Sequence, residues 1–488
     1  MELQPQLILW IIAIYFLILV GVSYLTSRNS TNEDFFKGSN KSPWLLVAIG
    51  MIGNTISGVT FISVPGGVLN NSMSYLQLVL GNMVGYFVVA LVLLPLYYRL
   101  NLTSIYSYLN ERFGKTTYQT TSGFFLVSKL FGAAARLYLV AKTLQLMAFD
   151  SMGIPFWITA TVSILLIWVY TFQSGIKTIV WTDSLQTIFL LTSLFLTLWL
   201  VSKEIGIGCL GDMENFLKAN PMSKVFFFED FADKKYFWKN FLSGIFLSIA
   251  MVGLDQDMMQ KNLSCKNIEE AQTNMFTFSM LSVFVNFVFL VLGVMLYAYA
   301  NLNGIDKTGD ELFPFIAKSG ELGLAVGIFF VVGLVAAAYS SADSALTALT
   351  TSFSVDILDI KSKNQQDQTR IRKTTHIAFS VLLILVILAF NQFASKSVID
   401  DILKIAGYTY GPILGLFTLG IFSERKLPVG KKSLLVVLVM ILSPFITYHL
   451  NNYLVAQKQD IGFAVLLLNA LITICGLFLI SKSSKSNS

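Results

Sequence analysis

Charged residues are scarce in this chain. Of its 488 residues, 34 are basic and 28 acidic, so that 13% are charged, whereas 55% are hydrophobic. A soluble chain of this kind carries roughly a quarter charged residues. Because too little polar surface exists to keep so much apolar chain in water, the composition excludes a disordered protein, a nucleic-acid binder and an ordinary cytosolic enzyme. It predicts an integral membrane protein whose main partner is the lipid bilayer.

Cysteine and histidine are also rare. The three cysteines lie far apart, without the paired spacing that a disulfide framework or a cysteine metal site requires. The two histidines, His376 and His449, have no carboxylate beside them in the sequence. The chain therefore lacks the usual residues of a catalytic centre, and we expect no enzyme activity.

Long apolar stretches dominate the sequence. A membrane-spanning helix needs about 20 mostly apolar residues, and about 13 stretches meet this requirement. They predict an all-α membrane protein with spans at 6–26, 43–68, 74–98, 118–149, 155–173, 176–202, 237–260, 268–300, 321–358, 370–393, 397–422, 431–450 and 461–481. The longer connections 203–236 and 301–320 have room for short interfacial helices.

The basic residues indicate the orientation of these spans. If the N-terminus is outside, more than half of the 34 basic residues fall in inner segments, Lys261 among them, whereas the short outer links 69–73 and 150–154 contain none. Cytoplasmic loops carry the excess of lysine and arginine. We therefore expect a multi-pass protein of the cell membrane with its N-terminus outside and its C-terminus in the cytoplasm.

Two of the spans contain helix-breaking sequences. In the second span, residues 53–60 (GNTISGVT) collect glycines, an amide and hydroxyls, and Pro65 follows; in the seventh, residues 253–260 (GLDQDMMQ) are similarly polar. Spans five helices apart have opposite orientations, as expected for inverted repeats with discontinuous first helices. Unwound backbone at this depth surrounds a buried site or a cavity. The alternative is ordinary glycine-mediated helix packing.

The ninth span has a polar face. Ser340, Ser344 and Thr347 are spaced to share one side of a helix, and Asp343 lies beside them. Hydroxyls, together with carbonyls freed by a broken helix, suit a small monovalent cation. Tight packing of small residues is the alternative, but it does not explain Asp343, because a mid-membrane carboxylate costs about 2.5–3.5 kcal/mol on insertion scales.

Other ionisable residues lie within the fourth and sixth spans. Asp183 is a second intramembrane acid, and such residues are functional candidates. Lys129 and Lys142 are expected to extend toward the membrane surface, whereas Arg136 lies near mid-depth. Arg136 either forms an ion pair with an intramembrane acid or binds a substrate carboxylate through a bidentate contact.

The order of several motifs resembles that of the sodium:solute symporter family. The matching segments are NEDFFKG at 32–38, the broken helix at 53–67, YLNERFG at 108–114, WTDSLQ at 181–186, residues 260–272, AAYSS at 337–341 with Asp356, and GYTYGP at 407–412. The resemblance implies a LeuT-like fold in a single transporter domain. Its parts would be an extra N-terminal helix at 6–26, inverted five-helix repeats at 43–202 and 237–422, and two C-terminal helices at 431–481.

The resemblance also implies a sodium site between the second and ninth spans. By position, its ligands would be the carbonyl groups of Gly53, Ile56 and Ala337 and the hydroxyls of Ser340 and Ser341. Sialic acid transporters of the family imply a second cation site, which here would comprise Asp183, Ser340, Asp343 and Ser344. A serine is expected where this chain has Asp343. Two carboxylates there should bind a second cation or share a proton, so we hypothesise two coupled cations per cycle.

The substrate is predicted only by class. Met251 and Thr60 stand where sugar transporters are expected to carry a tyrosine and a glutamine. Because Arg136 is available, an anionic solute such as a sialic acid or a carboxylate is preferred; the alternatives are a neutral sugar or polyol and, in a different class, an ion channel. The transporter is expected to bind sodium ions and a small molecule, not nucleic acid, and to function as a monomer. Expected substrate-binding residues are Thr55, Ser57, Thr60, Gln77, Arg136 and Asp255.

Overall fold

The computed structural model describes residues 3–26, 35, 41–171, 175–393, 398–457, 459 and 461–482. The segment 32–38, apart from Phe35, therefore lies outside the described residues. Those that are described form helices and connecting loops, and their only β pairing consists of two isolated bridges, Ser42 with Cys265 and Lys426 with Lys482. The predicted all-α class is confirmed.

Long apolar helices make up most of the fold. Ten of the described helices are long and apolar enough to cross a membrane, and two bent helix pairs bring the number to 12. The predicted span at 155–173 is the shorter apolar helix Phe156–Thr171. The unbroken helices are Pro5–Thr26, Tyr75–Arg99, Lys115–Met152, Phe156–Thr171, Gly175–Glu204, Ile268–Leu302, Leu324–Ile357, Gln365–Phe393, Val398–Phe422, Gly430–Ala456 and Gly462–Ile480. We number the spans in chain order, as in the sequence prediction.

The second and seventh spans are the two interrupted ones. The second consists of Trp44–Thr55 and Gly58–Gly66, which meet at 54°, and the seventh of Phe237–Gly253 and Gln256–Asn262, which meet at 70°. Ser57 is extended (φ −70°, ψ 171°) and so ends the helical hydrogen bonding. At the seventh-span break, the carboxylate of Asp255 caps the second half by accepting a bond from the Asp257 amide at 2.8 Å.

Small residues allow the interrupted spans to approach their neighbours closely. A Cβ at Gly81 of the third span would collide with the Phe241 carbonyl, and one at Gly244 would collide with the Leu78 carbonyl. The third and seventh spans are therefore in backbone contact, as small-residue interfaces in membranes permit. The ninth span packs against the second, fourth and sixth, and this arrangement brings both breaks to the centre of the bundle.

The two long connections contain short helices, Leu210–Ala219 in 203–236 and Leu312–Ser319 in 301–320. The first has no buried residue, whereas the second buries four of its side chains. The second also contacts the half-helix Gly58–Gly66, so that this connection covers one end of the interrupted second span.

Candidate functional site

The break in the second span lies directly against the ninth span. A Cβ at Gly53 would overlap the Thr187 hydroxyl and lie 3.4 Å from the Ser340 oxygen. A Cβ at Gly58, on the other side of the break, would lie 3.7 Å from that of Ala338. The structure therefore brings the backbone around Gly53 and Ile56 next to residues 337–341, as the predicted sodium site requires.

Backbone carbonyls are left free at this break. Among the described residues, no backbone amide outside the regular helices donates to the carbonyl of Gly53 or Ile56. The neighbouring Ser341 hydroxyl donates to the Ala338 carbonyl at 3.0 Å, and a hydroxyl that donates one bond still offers oxygen lone pairs to a cation. Carbonyls and hydroxyls are a suitable oxygen set for a monovalent ion such as Na⁺, and the Asp183 carboxylate is joined to this set through its hydrogen bond with Ser340.

A second polar cluster surrounds Asp183 on the sixth span. Its Oδ1 accepts a hydrogen bond from Ser340 at 2.8 Å, and its Oδ2 accepts one from Ser344 at 3.2 Å. The Oδ2 also lies 2.6 Å from the Nζ of Lys261, and both residues of this ion pair are buried, with side chains 0% and 1% exposed. Three of the four residues predicted for a second cation site are thus together, and an ammonium group is bound among them.

Asp343, the fourth residue of that predicted site, has different partners. Its Oδ2 accepts a hydrogen bond from the Tyr170 hydroxyl at 2.9 Å. Its Oδ1 is buried without a hydrogen-bond partner among the described residues. No described side-chain hydrogen bond or ion pair joins Asp343 to Asp183 or Ser340. The backbone of Ser344 does bond to Asp343, and the charges of Asp183 and Lys261 act on it. The two carboxylates therefore interact and share Ser344, but their other hydrogen-bond partners differ.

The second half of the seventh span adds two more acids, both bound to Lys129. The Nζ of Lys129 lies 3.1 Å from Asp255 and 2.7 Å from Asp257, with all three side chains buried. Tyr410 also donates to Asp255 at 2.5 Å. The expectation that Lys129 extends to the membrane surface was wrong, because two carboxylates hold its ammonium group in the bundle. Lys261, predicted to follow the seventh span, instead lies in the second half of that span, and Asp183 and Asp257 hold its ammonium group.

An open cavity lies between the second, third, fourth, seventh and eleventh spans. Five of the six predicted substrate-binding residues line it: Thr55, Ser57, Thr60, Arg136 and Asp255. Met251 lines it too. Gln77 does not line this cavity, and its predicted position was wrong. It is fully buried, and its amide donates instead to the Lys235 carbonyl at 2.9 Å.

Arg136 is a cationic side chain of this cavity that has no acidic partner among the residues the structure describes. It is partly exposed, and no ion pair or hydrogen bond is found between its guanidinium and any described residue. Asp255, by contrast, already accepts bonds from Lys129, Tyr410 and the Asp257 amide. The first alternative for Arg136, an ion pair with an intramembrane acid, is therefore not found with any acid that the structure describes, which leaves its guanidinium available to an anion.

Several residues of the site were missed from the sequence. Lys261 follows the end of a predicted span and looks like an ordinary loop lysine. Asn54 was seen only as a helix-breaking amide, yet it donates to Asp257 at 3.1 Å. Tyr410 and Tyr170 lie in apolar helices where tyrosine is common. The intramembrane acids Asp183, Asp255 and Asp257 were a signal for these lysines, because buried carboxylates require cations nearby.

These positions can be compared with those of known proteins. The family model described as "Sodium:solute symporter family" matches residues 35–430. The chain belongs to the sodium:solute symporter family. It is thus a symporter and not an enzyme, and its coupling ion is Na⁺.

Relatives of this symporter match over most of its length. It is 28% identical over 422 residues to a sodium/sialic acid symporter of Aliivibrio fischeri, covering 83% of this chain and 80% of the relative. A sodium/sialic acid symporter of Proteus mirabilis is 26% identical, with coverages of 84% and 83%. Mouse sodium-coupled monocarboxylate transporter 2 is 24% identical, covering 81% of this chain and 64% of the relative.

Solved structures show the fold of this symporter. A substrate-bound, outward-open Na⁺-coupled sialic acid symporter superposes with a TM-score of 0.81 at 20% identity, covering 98% of this chain and 99% of the other. MHP1, a nucleobase-cation-symport-1 family transporter, gives a TM-score of 0.57 at 14% identity, with coverages of 93% and 95%. The predicted LeuT-like fold is confirmed.

Proposed function

We propose that this symporter imports an organic anion, a sialic acid or another carboxylate, together with sodium. The observation that carries the proposal is the partly exposed guanidinium of Arg136, which lines the cavity between the two interrupted spans and pairs with none of the described acids. An arginine fork matches a carboxylate with two parallel hydrogen bonds. The sialic acid and monocarboxylate transporters among the relatives support the same class of solute.

The sodium ion is proposed to bind where the second span is interrupted. Its ligands are the carbonyl groups of Gly53, Ile56 and Ala337 and the hydroxyls of Ser340 and Ser341. The close approach of Gly53 to Ser340 supports this set. Sodium there would hold the interrupted helix against the ninth span. A movement that separates these elements would weaken the carbonyl ligands and release the ion, as alternating access requires.

The arrangement of the molecule in the membrane is part of the proposal. We infer that residues 43–202 and 237–422 are the two inverted repeats, because each begins with an interrupted span. The distribution of basic residues supports an outer N-terminus and a cytoplasmic C-terminus in the cell membrane. The cavity and the proposed sodium site lie within one chain, which supports a functional monomer.

The experiment is sodium-driven uptake into proteoliposomes that contain the purified chain. Sialic acid, a short monocarboxylate, a neutral hexose and inositol are offered with and without an inward sodium gradient. We expect saturable uptake of a carboxylate above its equilibrium level, which separates a symporter from a channel. Selective uptake of the hexose or inositol would contradict the proposed anionic substrate and indicate a neutral one.

Arg136→Gln tests the proposed contact. Because a hydrogen bond to a charged group contributes about 1.5–3 kcal/mol, we expect the KM for the carboxylate to rise about 10- to 100-fold. The matched control is Lys142→Gln on the same span, since Lys142 lies near Phe156 and outside the residues that line the cavity. Equal KM changes in both variants would contradict a direct contact between Arg136 and the solute.

A further inference from the structure

Five buried ionised side chains form a chain of alternating charge through the centre of the bundle. Asp255, at the cavity, contacts Lys129 at 3.1 Å, and Lys129 contacts Asp257 at 2.7 Å. Asp257 lies 3.9 Å from Lys261, which contacts Asp183 at 2.6 Å. We call this row the charge chain. It connects the solute cavity with the serine cluster of the ninth span.

At the Asp183 end of the charge chain, three groups already bind the carboxylate. Lys261 approaches Oδ2, Ser344 donates to the same atom, and Ser340 donates to Oδ1. An ammonium group carries one positive charge and donates hydrogen bonds to oxygen. It therefore supplies at Asp183 what a bound sodium ion would supply there.

We propose that the ammonium group of Lys261 is a resident cation that replaces a second sodium ion at Asp183, so that one Na⁺ binds in each cycle. The proposal rests on the proposed sodium symport and replaces the hypothesis of two coupled cations. Because Lys261 is covalently attached, its charge neutralises Asp183 without being carried across the membrane. One Na⁺ moved with one monovalent carboxylate carries no net charge, so the sodium concentration gradient then drives uptake.

The local charges also fit a single mobile ion. The charge chain has three carboxylates and two ammonium groups, an excess of one negative charge. A sodium ion beside Ser340, whose hydroxyl bonds to Asp183, would balance that excess. Asp343 lies beside the charge chain, where the charges of Asp183 and Lys261 act on it. The excess of one negative charge therefore applies when Asp343 is protonated, with its carboxyl group bonded to Tyr170.

The test is equilibrium binding of ²²Na⁺ to the purified full-length chain in detergent, without an organic solute. We expect a stoichiometry near one for the wild type and for Lys261→Arg, which keeps the cation. Lys261→Met should expose the Asp183 carboxylate, and its stoichiometry should rise toward two. The double variant Lys261→Met/Asp183→Asn removes both charges and should return to a stoichiometry near one.

Two results would overturn the proposal: a wild-type stoichiometry near two, or no additional sodium bound by Lys261→Met. The first of these would leave sodium symport intact, whereas a wild type that binds no sodium would refute both proposals. Lys261→Gln keeps a hydrogen-bond donor near Asp183 and repeats the test if Lys261→Met does not fold. Size-exclusion profiles establish that each variant used is folded.

Discussion

The side-chain amide of Asn54 donates a 3.1 Å hydrogen bond to the Oδ2 of Asp257. Asn54 lies just before the break of the second span, and Asp257 lies just after the break of the seventh. The same carboxylate oxygen contacts Lys129 at 2.7 Å. The Asn54 amide also contacts the Met258 sulfur at 3.1 Å. Asn54 therefore joins the two interrupted spans at their breaks, next to both the proposed sodium site and the solute cavity.

Asn54→Ala is expected to weaken the connection between the two interrupted spans. A hydrogen bond to a charged group contributes about 1.5–3 kcal/mol, so sodium-driven uptake should fall about tenfold or more in kcat/KM. The matched control is Asn286→Ala, because Asn286 is also a buried asparagine in a span but donates to the Ser282 carbonyl of its own helix. Similar losses in both variants would assign the effect to general packing.

The positions of the two breaks could be predicted from local sequence. Glycines, hydroxyls and acids at 53–60 and 253–260 are poor occupants of a lipid-facing helix, and the structure bends the spans there by 54° and 70°. The polar face at Ser340 and Ser344 followed equally from helical spacing. The breaks and the polar face are each determined by residues within one or two helical turns, so they can be predicted from a short stretch of sequence.

The partners of the buried charges could not be predicted in this way. Lys261 and Asp183 are 78 residues apart in sequence, and their contact depends on how the seventh span turns after its break. The tendency of lysine to lie in cytoplasmic loops, applied alone, predicts that a lysine at the end of a span is exposed. The predicted position of Gln77 in the cavity was wrong for a related reason, because the rotation of the third span directs its amide to the Lys235 carbonyl.

Lys129→Met is expected to destabilise the fold strongly. It leaves Asp255 and Asp257 without their shared cation, and removing one partner of a buried ion pair costs about 3–5 kcal/mol. Thermal unfolding in detergent, followed by tryptophan fluorescence, should show a clear drop in midpoint. Lys142→Met is the control, since Lys142 has no ion pair with a described acid.

The double variant Lys129→Met/Asp257→Asn distinguishes charge from packing in this cluster. Removing one acid together with the lysine leaves a single uncompensated charge at Asp255, so about half of the lost stability should return. If the double variant is no more stable than Lys129→Met alone, the lysine contributes by filling space and not through its charge.

Gly53→Ala is expected to impair sodium binding. The new methyl group would overlap the Thr187 hydroxyl and push the backbone away from Ser340. The sodium concentration for half-maximal uptake should rise about tenfold, the equivalent of about 1.4 kcal/mol. Gly123→Ala is the matched control, because a Cβ there meets no atom within 4 Å.

The variant Gly53→Ala/Thr187→Ala removes the overlapping hydroxyl. If the impairment arises from this contact, part of the sodium affinity should return in the double variant. A full loss in both Gly53→Ala and the double variant, with the fold intact, would instead assign the effect to the conformation of residue 53 itself.

Asp343→Ser is expected to leave the sodium stoichiometry unchanged and to raise the stability of the fold. The wild-type carboxylate is fully buried and is bonded by the Tyr170 hydroxyl and the Ser344 backbone, while its Oδ1 has no side-chain partner among the described residues. An unsatisfied buried polar group costs about 1–3 kcal/mol and a charged one more, so its removal should increase the unfolding midpoint. ²²Na⁺ binding and thermal unfolding measure the two effects separately. Tyr170→Phe is the complementary variant, because it removes the side-chain hydrogen bond to Asp343 and should lower stability. A fall in bound sodium in Asp343→Ser would instead make Asp343 a cation ligand and restore the hypothesis of two coupled ions.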